Sequence, residues 1–460
     1  GVLCGASVLS LVLSLVMPPI SQAIANDAEA ASTEETVTAG GSSTESTDVE
    51  NTKNGDTENQ NSDDAGNGAS EDTVAADSTA DGAEVKGAER PSDAQPSDNE
   101  NSDENAIAPV SAEDYKEVNG DVAHAFDSGG KYRLSGKSWS DGQITITANT
   151  TIDLNGKMFY HGPGSADSFI VVRNGATLTI EDSGRVADDP TPFTGEPGQP
   201  AEVKWTGPSD NAKNNGTPES LTYFETVSKP TENGLGTTET TTKHVLTGFG
   251  AIDAASDNGS VKNVINVDQG CVLNLKGGMI TTAASLKPYG QVIRASGTVN
   301  ISGGYIAGGN CDNGGWGGGL CVTGANASLN MTGGIIAANK AASGGGVYAD
   351  NGAKLNFSGG VISGNATYEK IYNNVDSPND GYGGGVFTKN ADVAIGGLAN
   401  ITNNRVDSYI TDKFNLGLLG GGGIASVEGG TLTMTGGSVT AIYSKEAGGG
   451  IYAGFWNRAT

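Results

Sequence analysis

The sequence predicts an all-β solenoid, a right-handed parallel β-helix, with a short N-terminal capping helix and a disordered N-terminal extension. Three observations carry this. Glycine triplets recur before apolar pairs, at Gly317-Gly318-Gly319-Leu320, Gly344-Gly345-Gly346-Val347, Gly383-Gly384-Gly385-Val386, Gly421-Gly422-Gly423-Ile424 and Gly448-Gly449-Gly450-Ile451. An apolar-x-apolar pair followed by Gly-Gly lies between them, as in Leu329-Asn330-Met331-Thr332-Gly333-Gly334. The unit returns with a period of about 26 residues, and units of that length bury their apolar faces only by stacking.

Written unit over unit, one column reads Leu178, Leu273, Val299, Leu329, Leu355, Val393, Leu432. Two residues later a second reads Ile180, Leu275, Ile301, Met331, Phe357, Ile395, Met434. A period of two places both columns on one face of a strand. Ile152 and Leu154 are expected to be an earlier member of the same series. Each unit should supply three short strands: after the glycine triplet, at the apolar-x-apolar pair, and after Gly-Gly. The third ends in asparagine at Asn339, Asn365 and Asn403-Asn404. Asparagine tolerates a left-handed turn, and stacked asparagines can hydrogen-bond in a ladder. Glycines serve the other corners, where φ is positive or backbones crowd. Short strands between turn signals would also describe a β-sandwich, the rival fold. Collagen is excluded, because glycine does not fall at every third position.

In this register a resemblance appears. Gly333-Gly334-Ile335-Ile336 with Asn339 downstream is similar to the repeats of chlamydial polymorphic outer membrane proteins. Thr151-Ile152-Asp153-Leu154-Asn155-Gly156-Lys157 resembles the opening of the large β-helix surface proteins of Gram-positive gut bacteria. The resemblance covers roughly residues 112–460 and rests on a repeat, so it speaks to fold more than role. It implies an adhesin or surface stalk, secreted or held at a Gram-positive cell wall. The Phe of the outer-membrane motif is Ile here, so that family's export route does not transfer.

Residues 8–16 form an apolar run too short to span a bilayer, with Ala23-Ile24-Ala25 at the distance of a signal-peptidase site. Residues 1–25 are therefore expected to be a signal peptide. Its charged leader and an initiator Met are missing, so the chain is expected to be a fragment; at Thr460 it stops in mid-unit, and either it continues or another molecule is expected to cover the open end. No membrane span is expected in the mature part.

Residues 26–112 hold 22 Asp and Glu against 3 Lys and Arg, about −19 of the chain's formal −28. Without an aromatic residue this stretch cannot offset its ordering entropy, and residues 26–110 read as a disordered acidic linker. From Arg294 to Arg458 the balance is 10 acids to 9 bases. Nucleic acid is not an expected partner, because no basic stripe exists. The solenoid, residues 111–460, should begin at Ser111-x-x-Asp114, a capping box. Tyr115, Val118, Val122 and Phe126 would follow on one face of a helix covering the first coil.

Insertions at residues 184–262, 366–382 and 405–420 each read as leaving after the third strand of one unit and returning before the first of the next, so all three should crowd one edge. The first should carry a β-hairpin, with Leu221 to Val227 and Thr240 to Leu246 flanking Glu232-Asn233-Gly234. Trp316, Tyr368, Tyr372, Tyr382, Tyr409 and Phe414 are the candidate binding residues. Such rings either pack their own loops onto the solenoid or stack on host glycans or surface proteins.

Catalysis finds less support. Parallel β-helices resemble those of pectate lyases and polygalacturonases, so a polysaccharide lyase or glycoside hydrolase is the rival function. Glycoside chemistry needs two carboxyls at a fixed separation. Asp312, Asp350, Asp376, Asp380, Asp392 and Glu428 fall at different corners of different units. Asp188-Asp189 before Pro190 reads as turn chemistry. His124, His161 and His244 lack metal-ligand spacing, and His244 reads as a solvated hairpin residue. Gly308-Gly309-Asn310-Cys311-Asp312 lacks the third glycine of the calcium nonapeptide, so no metal and no cofactor is expected. Cys311 and Cys321 bracket a glycine loop and could bridge, Cys271 falls at a different position of its unit, and two or three buried thiols are the equal alternative. No disulfide is required.

Overall fold

The computed structural model describes residues 114–206, 217–254, 261–282, 289–368, 371–372, 381–410, 420–445 and 448–454. The signal-peptide and linker expectations lie outside them. The protein is all-β, with no helix among the described residues. Its long sheets are built from parallel strands, an arrangement compatible with a solenoid.

The apolar columns stand in register. Leu178 pairs with Leu273, then Val299, Leu329, Leu355, Val393 and Leu432; Ile180, Leu275, Ile301, Met331, Phe357, Ile395 and Met434 follow two residues on. All from Leu178 to Ile395 are buried in one core cluster. Ile152 departs from the expected alignment: it pairs with Ile180, and Thr150 with Leu178. A slip of two residues keeps every side chain on its own face, so apolar patterning does not forbid it.

From Asn310 onward a coil carries four strands, not three. Column one is the apolar-x-apolar strand. Column two follows Gly-Gly and stacks Phe159, Ile252, Ile280, Ile306, Ile336, Ile362, Ile401 and Val439. Column three follows the glycine triplets, with Ile265, Ile293, Leu320, Val347, Val386, Ile424 and Ile451 in line. Column four, unforeseen, runs Asn310, Lys340, Ala366, Arg405, Tyr443 just past the asparagine corner. Its strands are two to seven residues long and carry few large apolar side chains. They leave almost no periodic trace.

The asparagine corner explains the glycine triplets. Asn339, Asn365 and Asn404 are buried and stacked, with Asn339 Nδ2 donating to Asn365 Oδ1 at 3.0 Å and Asn365 Nδ2 to Asn404 Oδ1 at 2.9 Å. Asn403 has the positive φ expected of it, but in the other two units the positive φ falls one residue before the asparagine, at Ala338 and Gly364. In the triplet of the next strand, Gly344 and Gly383 both have φ of 63°. A Cβ on Gly345 would stand 2.4 Å from Ala366 O, and one on Gly346 would stand 3.1 Å from Asn365 Cγ. The first glycine turns the chain and the other two make room for the next coil and the ladder.

At the N-terminus the expected helix is absent. Lys116–Asp121 is a strand paired in parallel with Gly130–Ser140, and hydrogen-bonded turns follow. Val122 and Phe126 still enter the core, at 2 % and 1 % exposure. An open sheet edge supplies backbone partners that outweigh a weak local helical pattern.

The first insertion also differs. The chain rejoins column two at Ala251–Asp253, between Met158–His161 and Met279–Thr281. The excursion therefore leaves between columns one and two, two corners away from the other insertions, which leave after column four and return at column three. It folds into a five-stranded sheet around the antiparallel pair Thr217–Pro230 and Thr237–Thr247, where Leu221 faces Leu246 and Val227 faces Thr240. Asp182 ties its roots: Oδ1 accepts Gly156 N at 2.7 Å and Gly184 N at 3.0 Å, and Oδ2 accepts Gly250 N at 2.6 Å.

This sheet lies along the outside of column two. Leu221, Tyr223, Leu246 and Phe249 cluster with Met158, Ala251, Met279, Ala307, Ile335 and Ala337. Further on, Ser363 Oγ donates to Phe224 O, Asn400 Nδ2 donates to Thr226 O at 3.1 Å, and Thr440 Oγ1 donates to Thr226 O at 3.2 Å. Coils stack about 4.8 Å apart and a strand advances about 3.4 Å per residue. The hairpin thus runs lengthwise, touching one coil after another.

Candidate functional site

The loop aromatics separate into groups. Outside column three, Cys321, Tyr348, Phe387 and Ala425 form one outward row, and Trp316 and Tyr382 close over it. Tyr382 is only 2 % exposed and stacks on Phe387 at 5.5 Å and 17°. Trp316 is half-buried, its ring 5.2 Å from that of Tyr348. These two rings build a second apolar layer. Burial pushes the Cys321 thiol beneath it up to about 12, far from a reactive thiolate. Cys271, Cys311 and Cys321 are all buried.

Tyr368 stands on the outside of column four. Lys340 Nζ sits 5.0 Å from its ring centroid and its hydroxyl donates to Asn310 Oδ1. Just beyond, Ile371–Tyr372 pairs in parallel with Tyr409–Ile410, Ile371 opposite Tyr409 and Tyr372 opposite Ile410. Excursions from neighbouring coils are therefore joined into one ridge. Phe414 lies outside the described residues.

On the insertion, His244 is not solvated: its side chain is 14 % exposed. Its Nδ1 lies 2.9 Å from Asp188 Oδ2, its Nε2 3.6 Å from Glu225 Oε2, and its ring stacks on Tyr223 at 4.7 Å and 12°. Asp188 reaches it because Ala187–Asp188 is a strand paired with Leu246 and Thr247, where a turn was expected. Burial, then the Glu225 and Asp188 charges, push the Tyr223 phenol well above its ordinary range. Sequence separation hid this group, since 56 residues divide Asp188 from His244.

A second group was missed near the N-terminus. Trp139 and Tyr160 occupy facing outward positions on column two, their rings 6.2 Å apart at 34°, with Lys137 Nζ 4.7 Å from the Tyr160 centroid. The alternation Ser138-Trp139-Ser140 and Phe159-Tyr160-His161 could have disclosed them, because the ring sits between two inward residues in each strand.

Arg133, Asp153 and Ser183 form a structural knot beside them. Burial opposes the Asp153 charge, but hydrogen bonds from Arg133 Nε at 2.7 Å and Ser183 hold its carboxyl below the usual range. Among the described residues no group of three or more His, Cys, Asp and Glu side chains is arranged to hold a metal ion. No helix among them is long and apolar enough to cross a membrane. Comparison with known protein families, curated proteins and solved structures returned no match.

Proposed function

We propose that this is an exported, cell-surface right-handed parallel β-helix, covered at its N-terminal end by the segment Val122 to Phe126, that acts in adhesion or display. Recognition falls to loops on one edge of the solenoid, and the partners are host glycans or surface proteins. The observation that carries this reading is the pairing of Ile371–Tyr372 with Tyr409–Ile410. It joins two insertions on a rigid scaffold, the placement that recognition loops use. Tyr368, Tyr372 and Tyr409 belong to that ridge, whereas Trp316 and Tyr382 serve to hold its base. The test is retention on immobilised mucin or host-type glycans. Retention that falls on deleting residues 366–382 or in Tyr372→Ala supports adhesion; retention unchanged by the deletion reduces the ridge to a spacer.

A second reading, a polysaccharide lyase or glycoside hydrolase, is favoured by one observation. Asp188, His244, Glu225 and Tyr223 bring acid and base groups together on the insertion. Incubation with pectin and alginate, followed by assay of reducing or unsaturated ends, decides it. Release that vanishes in Glu225→Gln would replace the adhesion reading.

A further inference from the structure

The outward row of column two begins Asp121, Trp139, Tyr160, one residue per coil. Trp139 and Tyr160 are both part-exposed and lie outside the apolar cluster that the hairpin covers. Glycines build their seat. A Cβ on Gly120 would come to 3.7 Å of the Trp139 indole, so the ring lies directly against that backbone. A Cβ on Gly162 would fall 2.0 Å from Asp141 Oδ1, and one on Gly164 only 1.4 Å from Asp141 O. Gly162 N also donates to Ser140 O at 2.8 Å. The turn after Tyr160 is thereby closed over Asp141, which stays near enough for its charge, after burial, to push the Tyr160 phenol up. Lys137 stands on the Tyr160 ring from the same strand as Trp139.

Two tilted rings on a rigid sheet suit a ligand with a C–H face. The rim carries an ammonium and two carboxylates, so it can donate to and accept from hydroxyls. Two carboxylates against one ammonium repel a phosphate or uronate chain. An uncharged pyranose meets all of these conditions. We propose that Trp139 and Tyr160 form a binding platform for an uncharged glycan chain. Lys137 donates to the hydroxyls of the bound sugar, and Asp121 and Asp141 accept from them. The platform lies on a different column from the Tyr372 ridge and extends the adhesion reading to a second contact.

The test titrates the full chain with chitopentaose, cellopentaose and polygalacturonate, following calorimetry and tryptophan emission. One of the neutral oligosaccharides should bind saturably and shift the emission. Trp139→Ala and Tyr160→Ala should each weaken binding roughly tenfold, equivalent to about 1.4 kcal/mol. Tyr160→Phe, which keeps the ring, should bind normally. Circular dichroism checks that each variant folds, and Tyr160→Ala serves if Trp139→Ala does not. The proposal is overturned by no binding of either neutral sugar, by preference for polygalacturonate, or by binding that survives both alanine variants. Deleting residues 366–382 should leave this binding intact. Loss of mucin retention in that deletion with platform binding preserved, or the reverse, tells the two sites apart.

Discussion

Gly385 lies against Asn404 so closely that a Cβ added to it would come within 3.0 Å of the Asn404 amide carbon and 2.6 Å of Gly423 O. The asparagine in turn donates to Ile362 O at 2.7 Å and accepts from Asn365 N at 3.0 Å. Small residue and buried amide are one device. Gly385→Ala should lower stability by about 1–3 kcal/mol, the cost of overpacking. Asn404→Ala should cost about as much, because the Asn365 amide and the Ile362 carbonyl would be left unpaired in the interior. Urea unfolding of the two single variants and the double should show less than additive loss, since the smaller side chain gives the new methyl room.

Phe357 packs between Met331 and Ile395 in the second apolar line. Phe357→Ala should cost about 3–5 kcal/mol, and Phe357→Leu much less, because a cavity and not polarity is what changes. Thermal unfolding read by far-ultraviolet dichroism measures both.

His161 is 1 % exposed and packs edge-on to Phe169 at 5.2 Å. Burial lowers its pKa below the ordinary 6.5. The unfolded chain therefore binds the proton more readily than the folded one. Stability should be full above pH 6.5 and fall as the pH drops below it, down to the folded pKa. Asp153 and Glu181 are also depressed, but their loss begins only as the pH falls towards the ordinary carboxylate values of 3.8 and 4.5. In His161→Phe the loss that sets in as the pH falls through 6.5 should disappear, leaving only the acid limb of the carboxylates. Denaturant midpoints at half-unit pH steps would show this.

Leu221 is fully buried between the insertion and column two. Leu221→Asp should release the hairpin while the coils persist. Amide exchange across residues 217–247 should accelerate on the order of 100-fold, about 2.7 kcal/mol of lost docking. Unchanged protection there would mean that the polar contacts of Phe224 and Thr226 alone hold the sheet down.

The stacked interior was legible because one residue class returns at a fixed offset: Leu329 beneath Leu355 and Met331 beneath Phe357 could be read off directly. The hairpin was equally plain, since Asn233-Gly234 sits between β-branched runs that pair as Leu221 with Leu246. Its point of departure was not. The signal that should have marked column two, Gly-Gly as at Gly277-Gly278, is broken into Gly248-Phe249-Gly250, so the return at Ala251 escaped notice. The start of the chain misled for another reason. Tyr115, Val118, Val122 and Phe126 keep helical spacing, but the edge of Gly130–Ser140 offered a ladder that no local pattern records. The candidate sites were the least legible. Asp188 meets His244 only through the fold, and Trp139 and Tyr160 lie on strands, where a single outward ring leaves no periodic mark.

In a stacked array each repeat touches only its neighbours, so such arrays open from their ends one repeat at a time. Here a single hairpin grips coils as far apart in sequence as Met158 and Thr440. A coil within that span cannot peel away without dragging on this lengthwise batten. Under tension the coils that the hairpin spans should hold and then give way in one large step.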